Sequence, residues 1–357
     1  MEYKRLELGA IFIDSFDFLD YKTKSVILEK LHQGEDMKTV IESSKDTLGE
    51  EKYQKIINAL NNAYITGLTD ALNKNCVRAL TLYSSDYPDY LKQIYCPPLV
   101  LYAKGNFALL KSKTRFAIVG SRKCLSTDKK IAERYASELS SSGVTIVTGI
   151  AEGIDSSAIN GALNSGKIIS VTAGGLDCLY PKENSDLFSA VANKGLCLSE
   201  QRLGVKPMPY MYPYRNRIIA GISSAVMVVS AGLKSGTLHT VSYALEQGKD
   251  IFAIPHDVNS ASGAGCNNLI KMGAYLTDTP DDITEFFGIE KQKNKVSLDE
   301  TEQSVYDVIA SENGMHIDKI AVLTGKMPFE LLPVLSMLEI KGVIAKSAGN
   351  VYSTILN

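Results

Sequence analysis

The sequence predicts an α/β protein built on a doubly wound, mostly parallel sheet, and three observations carry that expectation. From residue 115 onwards, apolar runs of strand length alternate with helical segments. The runs are apolar at consecutive rather than alternate positions, which is typical of parallel strands buried on both faces. Glycines follow successive runs, as Gly120, Gly149 and Gly174-Gly175, where such strands turn towards helices.

The predicted strands and helices come in a regular order along the chain. The strand candidates are RFAIVG, VTIVTG, KIISVTAGG, GLCLSE, AVMVVSA and DIFAIP. Helices are expected between them, around 128–142, 155–165, 184–193, 236–247 and 266–272. An irregular segment follows GLCLSE and leads into RNRIIAGIS, where two arginines are expected immediately before an apolar helix begins.

The flanking segments predict two smaller parts. Residues 1–84 are expected to form a helical domain, because stretches such as KTKSVILEKLHQ repeat apolar residues at helical spacing. The sheet domain is expected over 85–287, with a connector and a short strand candidate at its start. Residues 288–297 are polar and predict a linker. Residues 298–357 predict three short helices and a β-hairpin, which is the order of elements in a winged helix.

The composition is that of a globular chain and sets limits on its partners. The net charge of −2 and the pI of about 6.2 disfavour a globally basic nucleic-acid binder but allow a local basic patch. The six cysteines are scattered without a C-x-x-C pair, so we expect reduced thiols. No signal-peptide h-region and no apolar run of about 18 residues occurs, which predicts a cytoplasmic protein without a membrane span.

Sequence motifs argue against a nucleotide cofactor or a metal. A dinucleotide fingerprint needs three glycines in G-x-G-x-x-G, whereas residues 120–125 contain one. No G-x-x-x-x-G-K-[ST] loop and no H-E-x-x-H motif occurs. We therefore expect no cofactor, no metal and no NAD, FAD or Walker-type ATP site.

The strand ends predict an anion site instead. Gly120, Ser121 and Arg122 follow the first predicted strand, and Gly153 follows the second. Glycine lets backbone N–H groups approach a phosphate, and the next helix N-terminus adds positive potential. Each glycine alone is equally explained by a tight turn, but a set at successive strand ends favours a shared anion site.

An acid-free stretch extends this expectation to nucleic acid. No acidic residue occurs between Glu200 and Glu246, whereas Arg215, Asn216, Arg217 and Lys234 lie within that interval. Three tyrosines alternate with other residues at 210, 212 and 214, so an extended backbone would place their rings on one side. Cations beside aromatic rings suit single-stranded nucleic acid. The alternative is a structural loop whose tyrosines pack on the sheet.

The segment KSGTLHT (234–240) opens another predicted helix. Ser235, Gly236 and Thr237 offer hydroxyl and backbone N–H groups to an oxyanion, although an ordinary N-cap explains them as well. Candidate catalytic groups are few: Asp155 and Glu200 follow strand ends and form a conceivable carboxylate pair. Asp155 is better explained as a helix cap.

Several motifs in this order resemble the DprA/Smf family (DNA-processing protein A). They are FAIVGSRK, TGIAEGIDSSAINGAL, GGLDCLYPKEN, SEQ, YRNRIIAGIS, VVSAGLKSGTLHTVSYALEQGKDIFAIP and GAGCNNLIKMGA. The resemblance covers roughly 85–285. It implies an extended Rossmann-like domain without a cofactor that binds single-stranded DNA, dimerises and loads RecA during natural transformation. It also implies a helical (SAM-like) domain before and a winged helix after.

By position, the resemblance implies a DNA pocket built from several of the segments described above. Its residues would be Ser121, Arg122, Gly153, Lys182, Arg215, Arg217, Ser235, Gly236 and Thr237. The sequence also departs from the family's pattern. Ser185-Asp186 stand where a basic residue is common, and the candidate recognition helix 328–342 carries Glu330 and Glu339 but only Lys341, which favours a protein partner over a DNA groove.

The sequence thus predicts a non-catalytic single-stranded DNA binder that mediates recombination. A nucleotide-processing enzyme of the phosphoribohydrolase type, using Glu200 or Asp155 as acid/base group, is the alternative. The P-G-G-x-G-T turn of such enzymes is replaced by 233–237, which contain one glycine. A pure protein scaffold is a third interpretation.

Overall fold

The computed structural model describes residues 3–179, 182–289, 298–312, 314–347 and 349–355. Contacts along the chain divide it into two compact units, Met1–Lys291 and Gln292–Asn357. The N-terminal helices and the sheet therefore belong to one unit. Residues 290–297 of the predicted linker (288–297) lie outside the described residues. The predicted domain limits stay predictions.

Short helices make up the N-terminal part, and they pack around Phe12, which is fully buried. Phe16 and Tyr64 stack beside it with 6.3 Å between ring centroids. Asp20 caps the second helix by accepting a hydrogen bond from the Thr23 amide at 2.7 Å. The helices are α1 Arg5–Asp14, α2 Tyr21–His32, α3 Met37–Ser43, α4 Lys45–Leu48, α5 Glu50–Ala59 and α6 Asn62–Lys74.

A nine-stranded sheet forms the centre of the first unit. Its strands are β1 Arg78–Thr81, β2 Val100–Gly105, β3 Arg115–Val119, β4 Thr145–Thr148, β5 Ile168–Val171, β6 Leu196–Ser199, β7 Ala225–Val228, β8 Asp250–Ala253 and β9 Tyr275–Leu276. The spatial order is β1-β2-β6-β5-β4-β3-β7-β8-β9. The pairs β1/β2 and β2/β6 are antiparallel, and the other described pairs of this sheet are parallel, as predicted.

Helices cover both faces of this sheet. They are α7 Asp89–Lys92, α8 Ser126–Ser141, α9 Ile154–Ala162, α10 Ser185–Lys194, α11 Met211–Ile222, α12 Thr237–Glu246, α13 Ala264–Lys271 and α14 Pro280–Phe286. One buried cluster joins α8 and α9 to one face, and a second joins α11 and α12 to the other. The predicted doubly wound, Rossmann-like architecture is confirmed.

The strand order changes direction at β3, and this positions the site. From β3 the chain adds β4, β5 and β6 on one side, and then returns to place β7 on the other side. In open parallel sheets, ligands bind outside the carboxyl ends of the strands at such a switch point. The loops after β3, β4 and β7 are therefore the expected walls of a binding site.

The segment 210–217 differs from its predicted conformation. Met211–Ile222 is one continuous helix, so Arg215 and Arg217 lie inside a helix rather than before one. Pro213 concealed this, because proline disfavours a helix interior yet is tolerated in the first turn. The extended backbone expected for the three tyrosines is wrong for the same reason.

The C-terminal unit has the winged-helix order that was predicted. Its elements are α15 Glu300–Ala310, β10 Met315–His316, α16 Ile317–Thr324, α17 Pro328–Ile340, β11 Ile344–Ser347 and β12 Val351–Thr354. The strands form a three-stranded sheet in the order β10-β12-β11. Within the described parts of the chain, no single helix is long and apolar enough to cross a membrane; α16 and α17 meet that test only together, across a bend of 106°.

Candidate nucleic-acid interface

The loops after β3 and β7 are joined at the switch point. The amide of Ser121 donates to the carbonyl of Ser230 at 2.8 Å. The Ser121 hydroxyl lies 3.4 Å from that of Ser235, and Ser235 in turn contacts the Thr237 hydroxyl at 3.1 Å. Three hydroxyl groups from two loops are therefore gathered beside the start of α12.

The loop after β4 approaches the same point through Gly153. Its φ of +86° is a conformation that favours glycine. A Cβ atom added there would lie 2.5 Å from the carbonyl oxygens of both Ser121 and Arg122. The glycine thus lets the N-terminus of α9 pack directly on the turn after β3, as its predicted role in a shared site requires.

Helix α11 closes the other side and completes a cavity of about 900 Å³. Most of the residues predicted for the site line this cavity, and some of them are exposed whereas others are buried. Those that line it are Gly120, Ser121, Arg122, Arg215, Asn216, Lys234, Ser235, Gly236 and Thr237. Gly153 supports it from behind, through the contact described above.

Exposed cations stand at the rim of this cavity. Arg122, Lys123 and Lys234 are all exposed and line it. None of the three forms an ion pair with a carboxylate in the described part of the chain. The guanidinium of Arg122 lies 4.8 Å from the ring centroid of Tyr212. This arrangement offers positive charge and an aromatic face next to each other.

Arg215 forms part of the cavity wall but is buried and held by the protein. Its guanidinium donates to the Val171 carbonyl and to the Asn216 side chain at 3.2 Å. It shares the space above Gly149 with the carboxylate of Asp155. Burial raises the pKa of Asp155, and the charge of Arg215 opposes that rise. The carboxyl group of Asp155 is therefore the acidic neighbour of the Arg215 guanidinium within the cavity wall.

Arg217 does not reach the cavity, which corrects its predicted place in the pocket. Its side chain is 2% exposed and binds Glu200 at 2.5 Å, while the guanidinium lies 4.1 Å from the Tyr214 ring centroid. Burial raises the pKa of Glu200, and Arg217 opposes that rise. Positions 215 and 217 are about 200° apart on a helix. Arg215 therefore lines the cavity, whereas Arg217 lies on the opposite side of α11, against Glu200 and Tyr214.

The same geometry separates the tyrosines. Tyr212 lines the cavity, Tyr214 covers Arg217, and Tyr210 is 69% exposed outside the cavity lining. The predicted residue Lys182 lies in a short 3-10 turn, Lys182–Asn184, but its side chain is outside the described residues. Asn184 fastens this turn by donating to the Ile150 carbonyl at 2.6 Å.

Several residues that line the cavity were not among the predicted site residues, and Tyr212, Ala261 and Ser262 are three of them. Tyr212 was grouped with its neighbours, although helical spacing from Arg215 would have singled it out. Ala261 and Ser262 also line the cavity, and they arrive from the loop after β8.

Comparison with known proteins decides the family. The family model described as DNA recombination-mediator protein A matches residues 78–288, which is more than half of the chain. The chain belongs to this family. A model described as the DprA winged helix domain matches 290–350. The predicted resemblance to the DprA/Smf family is thereby confirmed.

Individual relatives agree with this assignment. A DNA processing protein DprA from Mycobacterium tuberculosis is 36% identical over 257 residues, which are 69% of this chain and 66% of that protein. The chain thus spans just under two thirds of that relative. The X-ray structure of DNA processing protein A from Streptococcus pneumoniae matches with a TM-score of 0.69 and 31% identity, covering 80% of this chain and 98% of the other.

A second solved structure comes from Helicobacter pylori and concerns the single-stranded DNA binding mode of its DNA processing protein A. It matches with a TM-score of 0.53 and 30% identity, covering 59% of this chain and 95% of that chain.

Proposed function

We propose that this protein binds single-stranded DNA in the cavity at the carboxyl ends of β3, β4 and β7. The observation that carries the proposal is the rim of Arg122, Lys123 and Lys234, exposed and without ion pairs among the described residues, around a cavity of about 900 Å³. Cations of this kind follow a phosphate backbone, while the ring of Tyr212 offers a stacking surface.

The turn chemistry supports phosphate as the ligand group. Hydroxyls of Ser121 and Ser235 and the open backbone at Gly236 face the same cavity. Hydroxyl and N–H donors position a phosphate without reading a base. The relative from Helicobacter pylori, described by its single-stranded DNA binding mode, supports the same ligand class.

Family membership supports a wider role for this protein. We propose that the protein acts as a homodimeric recombination mediator, which protects an incoming single strand and loads RecA onto it during natural transformation. The family's description as a recombination-mediator protein supports this role. We propose the cytoplasm as the compartment of this role.

We further propose that the site is not catalytic. Among the described residues that line the cavity, Asp155 is the acidic one, and it is buried beside Arg215. Glu200, the other candidate acid, is outside the cavity lining and is bound by Arg217. A general acid must reach the reacting group. Release of free base from nucleoside monophosphates by the purified protein would contradict this part of the proposal.

A binding titration tests the ligand class. Fluorescence anisotropy with labelled single-stranded and duplex oligonucleotides of one sequence, at two salt concentrations, compares the two ligands directly. We expect tighter binding of the single strand, and an affinity that falls with salt with a slope of roughly −0.7 for each phosphate contacted. Equal affinity for the duplex, or no salt dependence, would overturn the proposal.

A further inference from the structure

A second large cavity lies in the first unit, at the opposite end of β3 from the proposed DNA site. Its volume is about 530 Å³, and residues of β1, of α7, of the turn Phe107–Lys111 and the first residue of β3, Arg115, line it. β3 ends at Val119, which lines the other cavity. Four residues of strand, roughly 13 Å, therefore separate the two cavities. We name the second one the Arg115 cavity.

The wall of the Arg115 cavity is largely apolar and aromatic. The side chains that form this part of the wall are buried or partly buried, and they are Leu80, Tyr87, Pro88, Tyr90, Phe107 and Leu110. Small-molecule sites in proteins have about this volume, an apolar lining and a small number of polar groups that orient the ligand. The polar groups of the cavity therefore indicate which chemistry it suits.

Arg115 is a partly buried cation in this wall. Its guanidinium lies 4.0 Å from the Tyr90 ring centroid, and it donates to the carbonyls of Ile222 at 2.6 Å and of Ser112. Within the described part of the chain, no carboxylate pairs with it. Burial lowers the pKa of Arg115, and Tyr90 opposes that effect. Because a desolvated cation without a counter-ion is unfavourable, an anion supplied by a ligand would stabilise this position.

The acidic residues of the cavity are already paired with other cations. Asp86 binds Arg78 at 2.5 Å, and Asp89 binds Lys92 at 2.8 Å. Arg78 also lies over a ring of the wall, with 5.6 Å between its guanidinium and the Phe107 centroid. These two carboxylates are therefore engaged at the rim and leave the charge of Arg115 unbalanced.

Further cations lie close to Arg115. Lys111 is exposed and lines the cavity, and it forms no ion pair in the described ranges of the chain. Lys249 is near enough that the charge of Arg115, after burial, lowers the pKa of its amine. Positive charge at this end of the sheet thus exceeds negative charge, and the cavity favours an anion.

The neighbouring sheet edge argues for a compact ligand rather than a peptide strand. β1 is the edge strand next to the cavity. The amide of Ala79 donates to the Tyr3 hydroxyl at 3.1 Å, and the amide of Thr81 donates to the Ser84 hydroxyl at 3.2 Å. An added strand needs free backbone groups at such an edge. Since side chains of the same chain occupy these donors, strand addition does not fit here.

We propose that the Arg115 cavity binds a small organic anion in which a phosphate or a carboxylate is joined to a flat ring. The anionic group pairs with the guanidinium of Arg115, whose planar fork suits either group. The ring packs against the apolar wall that contains Phe107 and Leu110. This site goes beyond the proposed DNA-binding function and does not rest on it.

Calorimetric titrations of the full-length protein test the proposal. Adenosine monophosphate supplies a phosphate on a flat ring system, and indole-3-acetate supplies a carboxylate. Each is compared with its uncharged counterpart, adenosine or indole-3-acetamide. We expect saturable binding of at least one anion, about 10-fold or more tighter than that of its counterpart, because the charged group makes the contact with Arg115. The anion that binds identifies the anionic group of the ligand.

Substitutions locate the binding at this cavity. Arg115→Gln removes the charge and is expected to weaken binding of the anion by about 10-fold or more. Lys111→Glu reverses an exposed charge at the rim, so it spares folding, and severalfold weaker binding is expected. Its matched control is Lys113→Glu, at an exposed lysine outside the cavity lining, which should bind like the unsubstituted protein. Circular dichroism checks that each variant is folded.

A substitution in the other cavity separates the two sites. Arg122→Ala alters the proposed DNA site and is expected to leave binding of the small anion unchanged. Four results would overturn the proposal: no saturable binding of either anion, equal binding of the uncharged counterparts, full binding by both Arg115→Gln and Lys111→Glu, or a loss in Arg122→Ala as large as that in Arg115→Gln. None of these results bears on the single-strand titrations.

Discussion

Arg122 and Arg217 show why a residue type alone does not define a DNA contact. Arg122 is exposed beside Tyr212, whereas Arg217 is almost fully buried against Glu200. Both were predicted to contact DNA. The basic charge of both residues was visible in the sequence, as was the glycine turn before Arg122. The buried acid that pairs with Arg217 was not.

Replacing Arg217 is expected to damage the fold rather than the affinity alone. Arg217→Ala would leave Glu200 buried without its partner, which typically costs about 3–5 kcal/mol of unfolding free energy. Arg122→Ala, at an exposed position, is expected to stay within about 0.5 kcal/mol of the unsubstituted protein. Chemical denaturation followed by circular dichroism measures both. Equal denaturation midpoints for the two variants would contradict the structural role of Arg217.

The Arg217→Ala defect is expected to depend on pH. Burial holds the pKa of Glu200 above its ordinary value, so the folded state gains a proton more readily than the unfolded chain. A raised pKa gives stability that is present at low pH and is lost as the pH rises through the folded-state value. The defect should therefore shrink when denaturation is repeated at about pH 5.5 instead of about pH 8. A defect that grows on acidification would exclude an unpaired Glu200 as its cause.

The tyrosines give a test of single residues within one short segment. Tyr212→Ala removes a ring beside Arg122 and is expected to weaken single-strand binding by about 1–3 kcal/mol, the usual contribution of one stacked base. Tyr212→Phe keeps the ring and should retain most of the affinity. Tyr210→Ala is the matched control, because Tyr210 lies outside the cavity lining. Equal losses of single-strand affinity for Tyr210→Ala and Tyr212→Ala would favour the extended backbone that the sequence predicted for residues 210–214.

At the scale of elements, the start of α9 depends on Gly153. Gly153→Ala would force a Cβ against the turn after β3, at a positive φ, with an expected loss of about 1–3 kcal/mol in unfolding free energy. Gly236→Ala is the control: nothing lies within 4 Å of its added Cβ, and its φ is −59°. We expect that control to keep its stability, and thermal unfolding compares the pair. A loss at 236 equal to that at 153 would show that the close packing is not the cause.

The helices and strands also show which sequence patterns predicted secondary structure correctly. Apolar runs marked the strands of the parallel sheet and the helices between them, because burial on both faces leaves a strong local signal. Helix α11 was misjudged, since Pro213 and alternating tyrosines mimic an irregular segment. The short strand β1 was not predicted, because it gains its pairing from β2, which follows only after a long connection along the chain.

At the scale of the whole molecule, the fold class followed from the alternation of strands and helices, but the strand order did not. The order matters because it brings the loops after β3, β4 and β7 to one point. Motifs around Gly120, Gly153 and Ser235 were expected to share an anion site, and the structure brings them to one edge of the sheet. The loop carrying Ala261 and Ser262 comes from after β8, and its lining of the same cavity is seen only in the three-dimensional structure.

The central claim is that the exposed cations of this cavity hold the DNA strand. The direct measurement is a single-strand titration of the full chain carrying Arg122→Ala with Lys234→Ala, at several salt concentrations. The matched control is Lys111→Ala with Arg134→Ala, which removes the same two side-chain types outside the cavity lining.

Loss of two charge-assisted contacts is expected to weaken binding by about 10-fold or more. It should also reduce the magnitude of the salt slope by roughly 1.4, while the control binds like the unsubstituted protein. If the cavity variant keeps its affinity and slope, or if the control loses as much, the strand does not bind at this cavity.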